Sequence, residues 1–363
     1  MSSTDEKYMQ MALKLAQRGA GSVEPNPAVG AVIVKGGQVI GREWHKRFGG
    51  PHAEINALED CKKRGNNPKG ATMYVTLEPC CHYGKTKPCT DAIIKAGIKK
   101  VIAATKDPTK KVNGKGFKIL KKAGIKIKKD VYKKEAELLN MPFFEFARTK
   151  KPWIIIKWAQ SKDGFLARTD KKHWITGAKS RKDVHKLRKR VQAILVGINT
   201  VLEDNPLLTA RPNIERQPVR IVLDSQLRIP NNCKLIKTAK KTPVIVFTTN
   251  KNNKKTLQLR KKGAEIIKTK SACGKCNIKN VLRELSRRNI QQILVEGGKE
   301  VITSFLRQKL TDEIIVYTSN EKLAKKGKVK TSREMERTYH YVKNNYYEKK
   351  RFDTDICLRG FTK

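Results

Sequence analysis

Apolar residues follow two rhythms along this chain. In "GAVIVKGGQVIGREWH" they sit in two short blocks around a Gly-Gly pair, which predicts strand, turn and strand. Near the start, Met9, Leu13 and Ala16 recur at helical spacing before Gly19, which predicts a helix over roughly residues 5–18. "PHAEINALEDCKKRG" and "PCTDAIIKAG" each open with Pro and close with Gly, the asymmetry of a helix. "ATMYVTLEPC", "KKVIAATKDP" and "IKIKKDV" read as strands, with "GFKILKKAG" as a helix before the last of them. "KKEAELLNMPFFEFARTKKP" predicts a helix running into a basic linker at Pro152.

Beyond that linker the alternation restarts. "WIIIKWAQSKDG", "VQAILVG", "PVRIVLDS", "TPVIVFTTN", "QQILVEGG" and "TDEIIVYTS" read as strands. "KSRKDVHKLRKR", "IKNVLRELSRRN" and "KEVITSFLRQK" read as helices. Residues 320–350 are rich in Lys and Asn and poorly patterned, and "DTDICLRGF" predicts a final strand. Both halves are therefore α/β, and the basic seam near 147–152 predicts domains 1–147 and 148–363.

Composition narrows the class. A chain of 363 residues, 38% hydrophobic, has enough apolar material for two cores. It contains no apolar run long enough for a membrane span, and its first residues lack the apolar centre of a secretory signal. Eight irregularly spaced cysteines do not resemble a disulfide scaffold, so a reducing, cytoplasmic setting is expected. The net charge of +47 raises nucleic acid or a membrane as partners. The lysines, however, are scattered through every predicted element, with no basic tail and no aromatic-interleaved patch. Compositional drift is the favoured reading, and it also suits an anionic small substrate. Neither a nucleic-acid nor a membrane partner is expected.

The densest chemistry lies in "PHAE" and "LEPCCHYGKTKPC". Zinc in a catalytic site takes three protein ligands and keeps one position open. His52 with two of the cysteines meets that need, and Glu54 is placed to shuttle protons. His52 and Glu54 can converge most easily at a helix entry, where Pro51 puts them. Cys89 follows Pro88 at a predicted helix start, where a thiolate is favoured. Zinc deaminases carry H-x-E and P-C-x-x-C, whereas the second motif is here stretched to Cys80-x8-Cys89. Cys81 and His82 remain rival ligands, though they lack the Pro-Cys context, and burial without any metal is the bland alternative. Cys273 and Cys276 in "ACGKC" lie in a lysine-rich loop and are expected to be incidental. His45, His173, His185 and His340 are expected to be ordinary surface or packing residues. Asn26, between two prolines, either holds an amide against a planar base or simply turns the chain into a strand.

In the second half, "LVEGGKEVITSFL" is a glycine turn feeding a helix, a phosphate site in principle, but it lacks G-x-G-x-x-G. Asn199, Thr200, Asp204 and Asn205 bunch after a buried strand, as a ligand site or a capped loop would have them.

Together, "PNPAVGAVIV", "HAE" and "LEPCCHYGKTKPC" resemble the deaminase half of the bifunctional riboflavin-biosynthesis deaminase/reductase family, which itself carries the long Cys-x8-Cys loop. "KWAQSKDG", "HWITG", "VHKLRKRVQAILVGINTVLEDNPLLTAR", "VRIVLDSQLRIP" and "ILVEGG" resemble its reductase half. The resemblance covers nearly the whole chain. It implies a cytidine-deaminase-like three-layer α/β/α domain followed by a dihydrofolate-reductase-like α/β domain. It implies zinc on His52, Cys80 and Cys89, with Glu54 as the catalytic proton shuttle. It implies NADPH contacts at Gln160, Trp174, Thr200, Asp204, Ser225, Gly298, Lys299 and Glu300. Substrate contacts are implied at Lys157, Lys172, Arg188, Leu207, Arg211 and Glu296, and a homodimer is implied. The expected chemistry is hydrolytic deamination of a phosphoribosylated diaminopyrimidinone, then NADPH-dependent reduction of its ribosyl group to ribityl. Departures fall on the reductase half. "DGFLARTDKKHW" is one residue short, Lys172 stands where the family has a substrate-binding Ser, and the match lapses after residue 318 until "DICLRGF". One rival is a zinc deaminase acting on RNA through a basic C-terminal domain. The charge favours it, and the long loop and ordered second half oppose it. Another is a non-catalytic zinc-stabilised nucleic-acid binder, opposed by Glu54, since a structural site needs four ligands and no shuttle.

Overall fold

The computed structural model describes residues 4–84, 86–170, 174–212 and 216–362. Contacts divide the chain into two units, Met1–Lys150 and Lys151–Lys363, each with its own main sheet and core. Among the described residues no helix is long and apolar enough to cross a membrane.

The first unit runs α1 (Thr4–Gly19), β1 (Gly30–Lys35), β2 (Gln38–Trp44), α2 (Ala53–Lys63), β3 (Thr72–Val75), α3 (Cys89–Lys95) and β4 (Lys100–Ala103). It continues with α4 (Lys115–Lys122), β5 (Lys126–Lys128), α5 (Lys133–Leu139) and α6 (Met141–Thr149). The strands form one sheet in the order β2-β1-β3-β4-β5, with β1 antiparallel to both neighbours and the rest parallel. Side chains alternate across the sheet and divide it cleanly. Ala31, Ile33, Met73 and Val75 pack with Ala53 and Ala57 of α2, Ile93 of α3 and Leu120 of α4. Val32, Val34, Tyr74 and Ile102 pack with Met9, Ala12 and Leu13 of α1 and Ala136 of α5. Helices on both faces make three layers. The helix expected over "KKEAELLNMPFFEFARTKK" is in fact two, broken at Asn140. The Asn140 amide pairs with the main chain of Ala28, accepting from its N at 2.8 Å and donating to its O at 2.9 Å. Pro142, with no N–H to continue the ladder, sits in the first turn of α6.

The second unit runs β6 (Trp153–Gln160), β7 (Phe165–Arg168), α7 (Ala178–Arg190), β8 (Ala193–Gly197), α8 (Ile198–Asp204), β9 (Val219–Leu223) and α9 (Lys234–Lys237). Next come β10 (Val244–Thr248), α10 (Asn253–Lys261), β11 (Glu265–Lys268), β12 (Ser271–Ala272), β13 (Lys275–Cys276), α11 (Ile278–Arg287) and β14 (Gln292–Val295). It ends with α12 (Lys299–Arg307), β15 (Glu313–Thr318), β16 (Gly327–Lys330), α13 (Arg333–Asn344), β17 (Glu348–Phe352) and β18 (Asp355–Phe361). Nine strands form one sheet in the order β11-β10-β9-β8-β14-β6-β15-β18-β17, parallel up to β15 and antiparallel for the last two. Ile154, Ile156 and Trp158 of β6 pack with Val281 and Leu285 of α11, Phe305 of α12 and Met335 of α13. Alternation therefore turns Lys157 to the opposite face. The poorly patterned stretch 320–350 is ordered after all. It contains α13, capped by Ser332 and burying only Met335 and Val342, and β16, which pairs with β7 in a small separate sheet. Two buried positions in twelve residues leave too faint a stripe to see in sequence.

Candidate active sites

The first unit gathers its polar residues where α2 and α3 begin. His52 is the N-cap of α2, with extended backbone, and Glu54 lies in the first helical turn. This offset lets both side chains aim at one point. Cys89 is the first residue of α3, behind Pro88. Its backbone N–H donates to Cys80 Sγ at 3.3 Å. His52 Nδ1 lies 3.5 Å from Cys80 Sγ and 3.3 Å from Cys89 Sγ, and the three donor atoms all fall within 4.8 Å of one another. A tetrahedral zinc with bonds of about 2.3 Å to sulfur and about 2.0 Å to nitrogen has ligand–ligand edges of about 3.5–3.8 Å. One nitrogen and two sulfurs at this spacing fit zinc and leave the fourth corner free. Cys81 and His82 are not part of this cluster. Cys81 Sγ points to the Lys111 carbonyl at 3.9 Å.

The electrostatics agree with the geometry. A hydrogen bond from Cys89 holds the Cys80 thiol well below its ordinary value, with further help from His52. The same bond to Cys80, together with burial, pushes Cys89 up. The two sulfurs thus share one proton, which a cation would displace. The hydrogen bond to Cys80 raises His52. Glu54 is only 4% exposed, and burial pushes its carboxyl up to about 7, against the pull of the His52 charge. A carboxyl at that value can both take and give a proton near neutral pH.

His45 was expected to be an ordinary residue, and the structure puts it beside the site. It is 2% exposed, and its ring stands edge-on to His52 with centroids 5.2 Å apart. His45 Nδ1 is 2.9 Å from the Pro51 carbonyl, and Nε2 is 3.3 Å from Asn26 Nδ2. The Pro-Asn-Pro loop thus sets the Asn26 amide against His45. Three separate segments meet here, so no local pattern could have signalled it.

In the second unit, Glu296 follows β14 and meets two cations. Arg188, in the last turn of α7, donates from Nε to Oε1 at 2.7 Å and from Nη2 to Oε2 at 2.9 Å, and Lys157 Nζ lies 3.6 Å from Oε2. Burial alone would raise Glu296, but the charges of Arg188 and Lys157 outweigh it and hold the carboxyl at about 2. Burial lowers Lys157, with Glu296 opposing. Three of the expected substrate contacts are thus one cluster.

The expected cofactor contacts lie mainly around the C-terminal ends of the strands. Gly298 is the N-cap of α12 and offers no side-chain cap, and its N–H donates to Thr200 Oγ1 at 3.1 Å. The first-turn amides of α12, with Lys299 beside them, suit the pyrophosphate of a dinucleotide. Glu300 pairs with Lys275 at 2.9 Å. Ser225 Oγ accepts from the Cys276 N–H at 2.9 Å, so "ACGKC" is a hairpin anchored on an expected contact. Gln160 is buried at the end of β6, where its Oε1 accepts from Trp158 Nε1 at 2.7 Å. Trp174 is 60% exposed, with the Arg181 guanidinium 5.1 Å from its ring centre. Asp204 closes α8, and Arg211 is exposed. Lys172 lies outside the described residues. Arg220 was not anticipated. Wholly buried on β9, it donates to the carbonyls of Leu207, Thr238 and Thr242 and to Thr238 Oγ1, so it fixes the loop bearing Leu207. An arginine inside the apolar run "VRIVL" was its only signal.

Comparisons with known proteins bear on both units. Residues 2–105 match the family profile of the cytidine and deoxycytidylate deaminase zinc-binding region, and residues 152–342 match that of the RibD C-terminal domain. The riboflavin biosynthesis protein RibD of Aquifex aeolicus is 45% identical over 315 residues, 86% of each chain. Its Escherichia coli counterpart is 36% identical over 98% of each chain. Among solved structures, Acinetobacter baumannii RibD superposes with a TM-score of 0.85 at 34% identity over 99% of each chain. A Thermotoga maritima protein described as a diaminohydroxyphosphoribosylaminopyrimidine deaminase/5-amino-6-(5-phosphoribosylamino)uracil reductase gives 0.83 at 36% identity over 98% of each chain.

Proposed function

The chain belongs to the RibD family, the bifunctional zinc deaminase and NADPH-dependent reductase of riboflavin biosynthesis, and from that premise we propose which of its residues do each part of the work. The first unit hydrolyses the 2-amino group of 2,5-diamino-6-(5-phosphoribosylamino)pyrimidin-4-one. The second reduces the ribosyl group of the resulting 5-amino-6-(5-phosphoribosylamino)uracil to ribityl. The observation that carries this is the convergence of His52, Cys80 and Cys89 within 4.8 Å, beside a buried Glu54 poised at about 7.

His52, Cys80 and Cys89 hold the zinc, which when bound makes water nucleophilic at neutral pH. Glu54 takes one proton from the attacking water and passes it to the ring nitrogen, then takes the second from the hydroxyl now on the ring carbon and delivers it to the amine, so that ammonia leaves and the carbonyl forms. Burial keeps Glu54 clear of bulk water and sets its proton affinity. Asn26 and His45 orient the pyrimidine over the open corner. In the second unit, Arg188 and Lys157 supply positive charge to the phosphorylated substrate. Glu296 fixes the Arg188 fork, holds the Lys157 ammonium beside it, and keeps the pair from being an unbalanced charge removed from water. Gly298, Lys299 and Thr200 would hold the phosphates of NADPH and Trp174 would cover it, and the cofactor would supply the hydride for the ribosyl group. The setting is a reducing cytoplasm, where both zinc-bound thiols stay reduced, and the assembly is a homodimer.

The test uses purified protein, the diaminopyrimidine substrate, and NADPH added after ammonia has been measured. Ammonia release that Glu54→Ala abolishes, followed by NADPH oxidation, is the expected result. Release without subsequent oxidation would restrict the activity to the first unit, and no release would overturn the assignment of Glu54 and its neighbours.

A further inference from the structure

We propose that Glu78, which is not a zinc ligand, is a positioning residue for the metal, tying the Pro79–Cys80 turn to the loop over residues 107–117. This rests on the reading of the first unit as a zinc deaminase. Cys80 lies beyond the end of β3, in a stretch with no helix or strand of its own. The ladder that holds β3 therefore does not hold the ligand. Glu78, two residues earlier, is 3% exposed. Its Oε2 accepts from the N–H of Asp107 at 3.2 Å and of Gly114 at 2.9 Å, and its Oε1 accepts from that of Phe117 at 3.3 Å. Its own N–H donates to the Thr105 carbonyl at 3.0 Å. One side chain thus clamps the strand end to both ends of a distant loop.

The loop in turn presses on the ligand turn. A Cβ placed on Gly116 would lie 2.2 Å from the Pro79 carbonyl oxygen and 3.2 Å from Glu78 Oε1, so the main chain at 116 is packed directly against the peptide that leads into Cys80. Cys80 is held from the other side by the Thr90 N–H to its carbonyl at 3.2 Å and the Cys89 N–H to its sulfur. With both sides fixed, the Cys80 sulfur is preset at its corner and little chain entropy is lost when metal binds. Outer partners of this kind are worth about 10–100-fold in metal affinity.

The experiment strips zinc from the full-length protein and retitrates it against a chromophoric chelator. Glu78→Gln keeps the shape but turns an amide NH2, a donor, toward a backbone N–H group. Its zinc Kd is expected to rise by about 10–100-fold, while circular dichroism and melting of the zinc-free protein show the fold retained. Gly114→Ala loosens the same clamp from the surface, since Gly114 has φ +90° and a Cβ there meets only the end of Lys106. It should shift the zinc Kd severalfold in the same direction. A merely structural Glu78 would lower the melting temperature of zinc-free and zinc-loaded protein equally and leave the zinc Kd within twofold of wild type. That result overturns the proposal. If Glu78→Gln does not fold, the same comparison on Gly114→Ala decides. Wild-type protein that takes up no zinc would instead overturn the deaminase reading itself.

Discussion

Glu54 and Glu296 are both carboxylates removed from water, yet burial raises one to about 7 while two cations hold the other at about 2. Glu54 has one weak counter-charge in His52 and two sulfurs nearby, so it keeps a proton to trade. Glu54→Gln should retain one zinc per chain and lower ammonia release by at least about 100-fold, measured with metal content on the same sample. Glu296 is stabilising for the opposite reason. Its folded value lies below the ordinary 4.5, so its contribution is fully present above about 4.5 and is lost as pH falls through about 2. Glu296→Gln leaves Arg188 and Lys157, both largely withdrawn from water, without a counter-charge. At pH 7 it should cost about 3–5 kcal/mol in urea unfolding of the second unit. The gap from wild type should narrow between pH 4.5 and 2.

At the scale of elements, the catalytic geometry depends on how closely α2 lies on β2. A Cβ on Gly41 of β2 would sit 2.4 Å from the Ala57 carbonyl of α2, so the helix rests on bare backbone there. Gly41→Ala must push α2 away and take His52 and Glu54 with it. The expected cost is about 1–3 kcal/mol in denaturant unfolding, together with weaker zinc retention, both measurable on one preparation. Elements with strong periodicity were legible beforehand, among them α1, β1, β2 and the parallel strands β6, β8, β9, β10, β14 and β15, whereas the short edge strand β11 was not. The break between α5 and α6 was not, because it depends on Asn140 leaving its helix to pair with Ala28, 112 residues away. Nor was α13, whose two buried side chains are diluted among charged residues. β7 was missed because its partner, β16, is remote in sequence and the pair forms its own small sheet.

At the scale of the whole molecule, two units with separate cores carry separate chemistries. A chelator that strips zinc from the full chain should stop ammonia release. It should leave NADPH oxidation with pre-deaminated substrate within about twofold of the untreated enzyme, followed in one cuvette, because the candidate metal ligands His52, Cys80 and Cys89 all lie in the first unit. The net charge of +47 has a matching consequence. A strongly basic surface draws in phosphorylated substrate over a distance that salt shortens. Raising ionic strength should therefore raise KM for that substrate while leaving kcat nearly unchanged.

By itself the sequence determined the α/β class of both halves and the reach of most strands and helices, and it narrowed the candidate ligands to "PHAE" and "LEPCCHYGKTKPC", the choice of His52, Cys80 and Cys89 resting on the family resemblance. The class and the elements follow from local periodicity, which acts on neighbouring residues whatever the rest of the chain does. Tertiary structure alone decided that His45 stands against His52 with Asn26 behind it, that Arg220 pins the Leu207 loop, and that Glu78 joins the Pro79–Cys80 turn to residues 107–117. Likewise, Lys157, Arg188 and Glu296, up to 139 residues apart, form one charged cluster because β6 and β14 pair side by side and the last turn of α7 brings Arg188 to Glu296. Such contacts have no period. They exist only once burial has stacked distant segments and each buried polar group has had to find a partner.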